Sequence, residues 1–125
     1  MNDDLQVSLF KDFPELYQDM ESSRTVFIFE CGDGWYRLIR ELSEKLVDII
    51  KSLKFDPDLP PKASQVKEKY GSLRFYMYWS TDEMETLINS YENLSEKICE
   101  ICGSMGEINT KRNWLSCRCD NHRMV

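Results

Sequence analysis

Apolar side chains recur at intervals of three and four residues in two long stretches, and this spacing predicts two amphipathic α-helices. The first stretch follows a glycine-rich turn, and its apolar stripe comprises Trp35, Leu38, Ile39, Leu42, Leu46, Ile49, Ile50 and Leu53. Three prolines within residues 56–61 end this helix, because proline continues neither a helix nor a central strand. The second stretch follows Ser80, which stands at capping-box spacing from Glu83, and its stripe comprises Met84, Leu87, Ile88, Tyr91, Leu94 and Ile98.

The residues before the first long helix carry weaker signals. Asp12 is suited to cap a short helix with Pro14 in its first turn, because apolar residues follow at helical spacing: Phe13, Leu16, Tyr17 and Met20. Residues 25–29 form an apolar run that predicts either a short strand or an extended segment without sheet partners.

Residues 63–70 and 73–79 flank Gly71-Ser72, a pair that fits a type II′ hairpin turn with Tyr70 opposite Leu73. Because side chains alternate along a strand, this register gives the hairpin two different faces. One face is predicted to join the core and comprises Val66, Glu68, Tyr70, Leu73, Phe75, Met77 and Trp79. The opposite face, called the hairpin face below, comprises Gln65, Lys67, Lys69, Arg74, Tyr76 and Tyr78.

The hairpin face combines cationic and aromatic side chains. Stacking on tyrosine rings and charge-assisted hydrogen bonds from Lys67, Lys69 and Arg74 would suit a planar ligand that carries phosphate. An ordinary solvated sheet face is equally consistent with this pattern, because lysines on strands also discourage edge pairing.

Four residues near the C-terminal end have the spacing of a structural zinc site. Cys99 and Cys102 form a Cys-x2-Cys pair followed by Gly103, and Cys119 and His122 form a Cys-x2-His pair. Structural zinc sites are closed and tetrahedral, with four sulfur or nitrogen ligands from the protein and no open position for substrate. The sequence therefore predicts a zinc ion in a structural role.

Two alternatives to this ligand set remain open. Cys117 stands two residues before Cys119 and could replace either Cys119 or His122 as a ligand. A disulfide framework is the other alternative, but five cysteines is an odd number and the first residues contain no apolar signal segment. Both features favour a reducing, cytoplasmic setting.

The turn from Glu30 to Trp35 is a second candidate site. Two glycines flank Asp33, which can cap the following helix. Free amides and the positive helix dipole would then lower the pKa of the Cys31 thiol and favour an anion. On this interpretation Cys31, Asp33 and Trp35 join the hairpin face in one ligand pocket. The alternative is a simple turn in which Cys31 is a small buried residue.

Composition and charge narrow the class of protein. The chain has 125 residues, 42% of them hydrophobic, and a net charge of −6 at pH 7. This predicts one globular α+β domain with an N-terminal segment (1–29), a helix-hairpin-helix body (30–98) and a zinc-binding lobe (99–125). Acidic charge opposes non-specific nucleic-acid binding, and no apolar run approaches a membrane span.

Three blocks of sequence together resemble a family of small proteins encoded by bacteriophages and prophages. The blocks are residues 30–35 (ECGDGW), residues 66–76 (VKEKYGSLRFY) and the metal pairs at 99–103 and 119–122. The resemblance covers roughly residues 30–122 and implies a phage accessory protein inside a bacterial host cell, a class that includes inhibitors of bacterial defence. It implies no particular reaction.

These observations favour a non-enzymatic protein. The only histidine is assigned to zinc, and the sequence shows no phosphate loop and no Ser or Cys paired with a credible base. The leading hypothesis is an anti-defence protein that sequesters an anionic, nucleotide-like molecule. The alternative is a protein-protein inhibitor that covers a host defence or regulatory enzyme.

Overall fold

A computed structural model of the chain describes residues 1–17, 29–110 and 114–123. Its elements confirm the predicted α+β class, and the two predicted amphipathic helices and the β-hairpin between them are all present. In chain order, the described elements are α1 (Asp3–Asp12), α2 (Tyr36–Ser52), β1 (Ala63–Lys69), β2 (Ser72–Met77), α3 (Asp82–Ser95), β3 (Glu107–Asn109) and β4 (Ser116–Arg118). Among the described helices, none is long and apolar enough to cross a membrane.

Helix α2 supplies the largest share of the core. Its stripe faces inward as the spacing predicts, and its buried residues are Leu38, Ile39, Leu42, Ser43, Leu46, Val47 and Ile50. Trp35, in the 3-10 turn that leads into the helix, is fully buried. The Ser43 hydroxyl donates to the Ile39 carbonyl at 2.6 Å and lies 2.7 Å from the Tyr17 hydroxyl, so both buried hydroxyl groups have partners.

The turn of the β1–β2 hairpin differs from the prediction. Lys69 pairs with Ser72, so the two turn residues are Tyr70 and Gly71, with φ values of 55° and 83°. Two positive φ values are typical of a type I′ turn, whose twist matches the flanking strands. The Gly71 amide also donates to a Glu68 carboxylate oxygen at 2.8 Å, which holds this turn. The predicted Gly71-Ser72 turn is therefore wrong.

The strand faces survive this correction. Val66 lies opposite Phe75 rather than Met77, a register change of two residues, and a two-residue change leaves every side chain on its original face. Val66, Leu73 and Phe75 are accordingly buried. The predicted core positions of Tyr70 and Trp79 are wrong, because the turn exposes the Tyr70 ring and Trp79 lies beyond the end of β2 with its side chain exposed.

Both edges of this two-stranded sheet are covered. On the β2 edge, the Leu73 amide donates to Ser95 Oγ at 2.8 Å and the Phe75 amide donates to Glu92 Oε2 at 2.9 Å, so α3 side chains satisfy the free strand amides. On the β1 edge, Glu30 forms an isolated parallel bridge with Lys67. Helix α3 is capped by the Thr81 hydroxyl and not by the predicted Ser80.

The N-terminal residues form a helix that the sequence analysis does not predict. Asn2 caps α1 by accepting from the Leu5 amide, and Leu9 packs in the core. Asp12 ends this helix instead of capping the next one, and its carboxylate pairs with Arg40 at 2.7 Å. Residues 14–17 are helical as predicted, whereas Met20 and most of the predicted strand at 25–29 lie outside the described residues.

Candidate metal centre

The four predicted metal ligands come together after the ends of α3 and β4. Cys99 and Cys102 lie in a tight turn closed by two backbone hydrogen bonds, from the Cys99 amide to the Ser104 carbonyl (2.7 Å) and from the Gly103 amide to the Cys99 carbonyl (2.9 Å). A short 3-10 turn (Asp120–His122) brings His122 beside Cys119. The β3–β4 hairpin connects these two turns. We call residues 99–110 and 114–123 together the metal lobe.

The donor atoms have the separations of a four-coordinate site. All four lie within 4.8 Å of one another. Cys102 Sγ is 3.6 Å from Cys119 Sγ, and His122 Nδ1 is 3.7 Å from Cys99 Sγ and 3.1 Å from Cys119 Sγ. A tetrahedral ion with sulfur bonds of about 2.3 Å places neighbouring sulfurs about 3.8 Å apart. The cluster is therefore compatible with one metal ion.

The structure separates Cys117 from this cluster. Cys117 lies in β4 opposite Ile108, its side chain is fully buried in the core, and it is not one of the four clustered ligands. Burial raises the pKa of its thiol to about 11. Among the described residues the cluster compatible with a metal ion consists of the predicted Cys99, Cys102, Cys119 and His122, and no described cysteine forms a disulfide.

The turn after Cys102 favours a metal-binding thiolate. Hydrogen bonds from the Ser104 hydroxyl and the Ser104 amide lower the pKa of the Cys102 thiol to about 6. Metal ions bind the thiolate form of cysteine, so this environment prepares Cys102 to coordinate at neutral pH. Cys102 is the exposed member of the set, whereas Cys99 and Cys119 are buried.

The turn at residues 32–34 holds the first cysteine pair. The Gly34 amide donates to the Glu100 carbonyl at 2.8 Å, and the Gly32 amide donates to the Glu100 carboxylate at 2.9 Å. Burial raises the pKa of the Glu100 carboxyl, and the Gly32 amide and the Arg118 charge act in the opposite direction. The Trp35 indole N–H donates to the Ile98 carbonyl at 2.8 Å. The motif at residues 30–35 is therefore a structural support for the metal lobe.

Glycine is required in this support by close packing. A Cβ atom on Gly34 would lie 2.1 Å from the Cys99 carbonyl oxygen, and one on Gly32 would lie 2.3 Å from the Glu100 carbonyl oxygen. These distances are shorter than any real carbon contact, and the neighbouring atoms belong to backbone. The backbone at residues 32–34 and the backbone of the Cys-x2-Cys turn thus approach as closely as the absence of side chains allows.

The structure corrects the predicted ligand role of this turn. Trp35 is fully buried and Cys31 is almost so, and burial raises the pKa of the Cys31 thiol to about 12 instead of lowering it. Asp33 does not cap α2, because its two carboxylate oxygens accept from the backbone and side chain of Asn2. The clefts that contain Asp33 and Lys67 are also lined by different residues. The predicted common pocket is therefore wrong.

Replacing Trp35 by phenylalanine tests the support directly. The Ile98 carbonyl would lose its donor and the smaller ring would leave a void, so we expect a loss of about 2–3 kcal/mol in unfolding free energy, measured in urea. Trp79→Phe is a matched control, because the Trp79 indole also donates to a carbonyl, that of Leu59 at 2.9 Å, but at an exposed position. Equal losses in the two variants would contradict the proposed role of Trp35.

The hairpin face keeps the side chains that the sequence assigns to it. Lys67 and Arg74 are direct cross-strand neighbours, and Tyr76 and Tyr78 are exposed. The Lys62 ammonium lies 5.2 Å from the centre of the Tyr78 ring. This face carries cationic and aromatic groups that a ligand can reach, which is the chemistry predicted for it.

The sequence did not indicate that Gly34 and Glu100 are hydrogen-bonded to each other. The signal available was a lone acidic residue inside the Cys-x2-Cys turn and a pair of glycines that match no ligand-binding motif.

Comparison of the chain with family models, with curated proteins and with solved structures finds no match in any of the three. Functional inference therefore rests on the chemistry of the chain's own residues.

Proposed function

We propose that this chain is a non-enzymatic binding protein with a structural zinc ion, and that its hairpin face binds an anionic small molecule. Three cysteines and one histidine are a typical zinc donor set. Four protein ligands leave no open position for a catalytic water, and assigning the only histidine to the metal leaves no imidazole for acid-base chemistry. These features support a scaffold role for the ion.

The observation that carries the ligand proposal is the pairing of Lys67 with Arg74. Like charges directly opposite each other on one sheet face are destabilising, and an anion bound between them would relieve the repulsion. The Glu92 carboxylate accepts from the Phe75 amide, and its negative charge attracts the positive charge of Arg74. Glu30 is bridged to Lys67, and its carboxylate accepts from the Gln65 side chain at 3.5 Å. These two acids offset part of the positive charge of the face, and Lys69 adds a third cation to it.

Thermal-shift titration with pyrophosphate and with nucleoside phosphates tests this proposal. A ligand of the native state raises Tm with concentration by mass action. Arg74→Gln should remove most of that shift and change the unliganded Tm little, because the repulsion from Lys67 and the attraction to Glu92 are lost together. Arg37→Gln is the matched control, since Arg37 is exposed on α2 outside the hairpin face. Shifts that are identical in wild type and Arg74→Gln would contradict the proposal.

A second candidate function is inhibition of a host protein by direct contact. The observation that favours it is the exposure of apolar side chains on the metal lobe, most of all Met105, which is 89% exposed. A stable complex captured from host lysate, together with no Tm shift from any phosphate compound, would favour this candidate. The resemblance to phage-encoded proteins would make either function part of a phage's counter-defence.

A further inference from the structure

A cleft lies where the tip of the β1–β2 hairpin meets the metal lobe. Gly71 packs against the lobe, since a Cβ on this glycine would lie 3.2 Å from Ile108 Cγ1. Beside this contact is a cleft of about 220 Å³ lined by Lys67, Glu68, Lys69, Tyr70, Trp114 and Leu115. Pockets that enclose drug-sized ligands begin at about 300 Å³, so this cleft suits one planar ring system with the rest of the ligand outside.

The backbone at Tyr70 is unusual for a residue of its size. Its φ of 55° is in the left-handed region, where a bulky side chain costs about 1–2 kcal/mol and asparagine or glycine is favoured. Packing does not offset this cost, because the Tyr70 side chain is 65% exposed. Backbone strain of this kind clusters at active sites, ligand clamps and switch regions.

The side chains of the cleft complement a planar anion. Trp114 is 76% exposed, and neither it nor Tyr70 stacks on another ring among the described aromatic side chains. The Lys69 ammonium lies 5.4 Å from the centre of the Tyr70 ring, and Lys67 is the next cation along the same face. Glu68 also lines the cleft, and its carboxylate accepts from the Gly71 amide, which offsets part of its negative charge beside the two lysines.

We propose that this cleft binds a nucleoside phosphate, with the base stacked on Tyr70 and Trp114 and the phosphate held by Lys67 and Lys69. This inference rests on the proposed function and specifies both the ligand class and the position of its base. A single nucleotide fits better than a nucleic-acid strand, because the cleft accepts one ring system and the chain carries a net charge of −6.

Calorimetric titration of the full chain with AMP, GMP, CMP and UMP, and with ribose 5-phosphate as a ligand that lacks a base, tests this inference. At least one nucleoside monophosphate should bind more tightly than ribose 5-phosphate. Trp114→Ala should weaken that binding about fivefold to one-hundredfold, the range found when a stacking side chain is removed. Met105→Ala is the control, because it removes an exposed apolar side chain of the same lobe outside the cleft.

Tyr70→Asn separates ligand binding from folding. Asparagine tolerates the left-handed backbone, so we expect an equal or higher Tm together with nucleotide binding weakened at least about fivefold. Wild-type affinity in both Tyr70→Asn and Trp114→Ala would overturn the inference. If ribose 5-phosphate binds as tightly as the nucleotides and only Arg74→Gln weakens it, the inference fails while the proposed function stands. If no phosphate compound binds the wild-type chain, both fail.

Discussion

If the cluster holds a zinc ion as proposed, replacing Cys102 by serine is expected to release the metal and unfold the metal lobe. Structural zinc contributes an apparent free energy of about 10–16 kcal/mol at pH 7 in zinc-finger peptides, which is as large as the whole stability of a typical domain. Cys102 is exposed, so the substitution itself removes little packing. We therefore expect loss of stoichiometric metal and a fall in Tm of well over about 10 °C, measured by elemental analysis and thermal unfolding.

Cys117→Ala provides the matched control for this result. Cys117 is fully buried, whereas Cys102 is exposed, so an account based on packing alone makes Cys117→Ala the more damaging change. The metal account gives the reverse order, with full metal content and a loss of about 1–2 kcal/mol in Cys117→Ala. A Cys102→Ser protein that keeps its metal and its Tm, or a Cys117→Ala protein that loses its metal, would contradict the assigned ligand set.

Placing a methyl group on Gly34 is expected to have the second largest effect. The new Cβ would lie 2.1 Å from the Cys99 carbonyl oxygen and 2.6 Å from both the Glu100 carbonyl carbon and the Gly103 amide nitrogen. All three are backbone atoms of the metal-binding turn, so none can move without displacing the ligands. We expect Gly34→Ala to lose at least about 3 kcal/mol of unfolding free energy and to bind metal more weakly.

The neighbouring change Asp33→Ala is the control for Gly34→Ala. It removes the hydrogen bonds that Asp33 accepts from Asn2 at 2.7 and 3.2 Å but introduces no overlap at an exposed position. A loss of about 1 kcal/mol with unchanged metal affinity is expected. If Gly34→Ala proved as mild as Asp33→Ala, the turn at residues 32–34 would not support the metal lobe as closely as described.

The clustering of Cys99, Cys102, Cys119 and His122 could be predicted from sequence because the signal is local. Each ligand pair spans four residues, and two such pairs of cysteine and histidine in a short segment are typical of a zinc site. Helix α2 was predictable for a similar reason, since its long stripe of apolar residues makes one choice of buried face much better than the others.

The role of residues 30–35 could not be predicted in this way. Two glycines close together indicate a turn. The hydrogen-bond partners of Gly32 and Trp35, however, are more than sixty residues away in the chain, so no local pattern indicates them. A free helix N-terminus and a packed one have the same local sequence. Cys31 is buried, as the alternative interpretation of this turn predicts, and desolvation raises the pKa of its thiol although the nearby N-terminal ammonium lowers it.

Two other errors arose from weak or competing local preferences. Helix α1 was missed because polar and charged residues outnumber apolar ones between Asp3 and Asp12, and its stability comes from contacts with the turn and the core. The hairpin turn was misplaced because glycine at position 71 is compatible with two turn types. The structure uses the one that requires a positive φ at Tyr70, which local propensity disfavours.

The central claim is that one zinc ion, held by Cys99, Cys102, Cys119 and His122, keeps the metal lobe folded on the body. The most direct test is elemental analysis of the wild-type protein purified without added metal or chelator. The account predicts one zinc ion per chain, retained through gel filtration. Fully folded protein that contains no stoichiometric metal would contradict it.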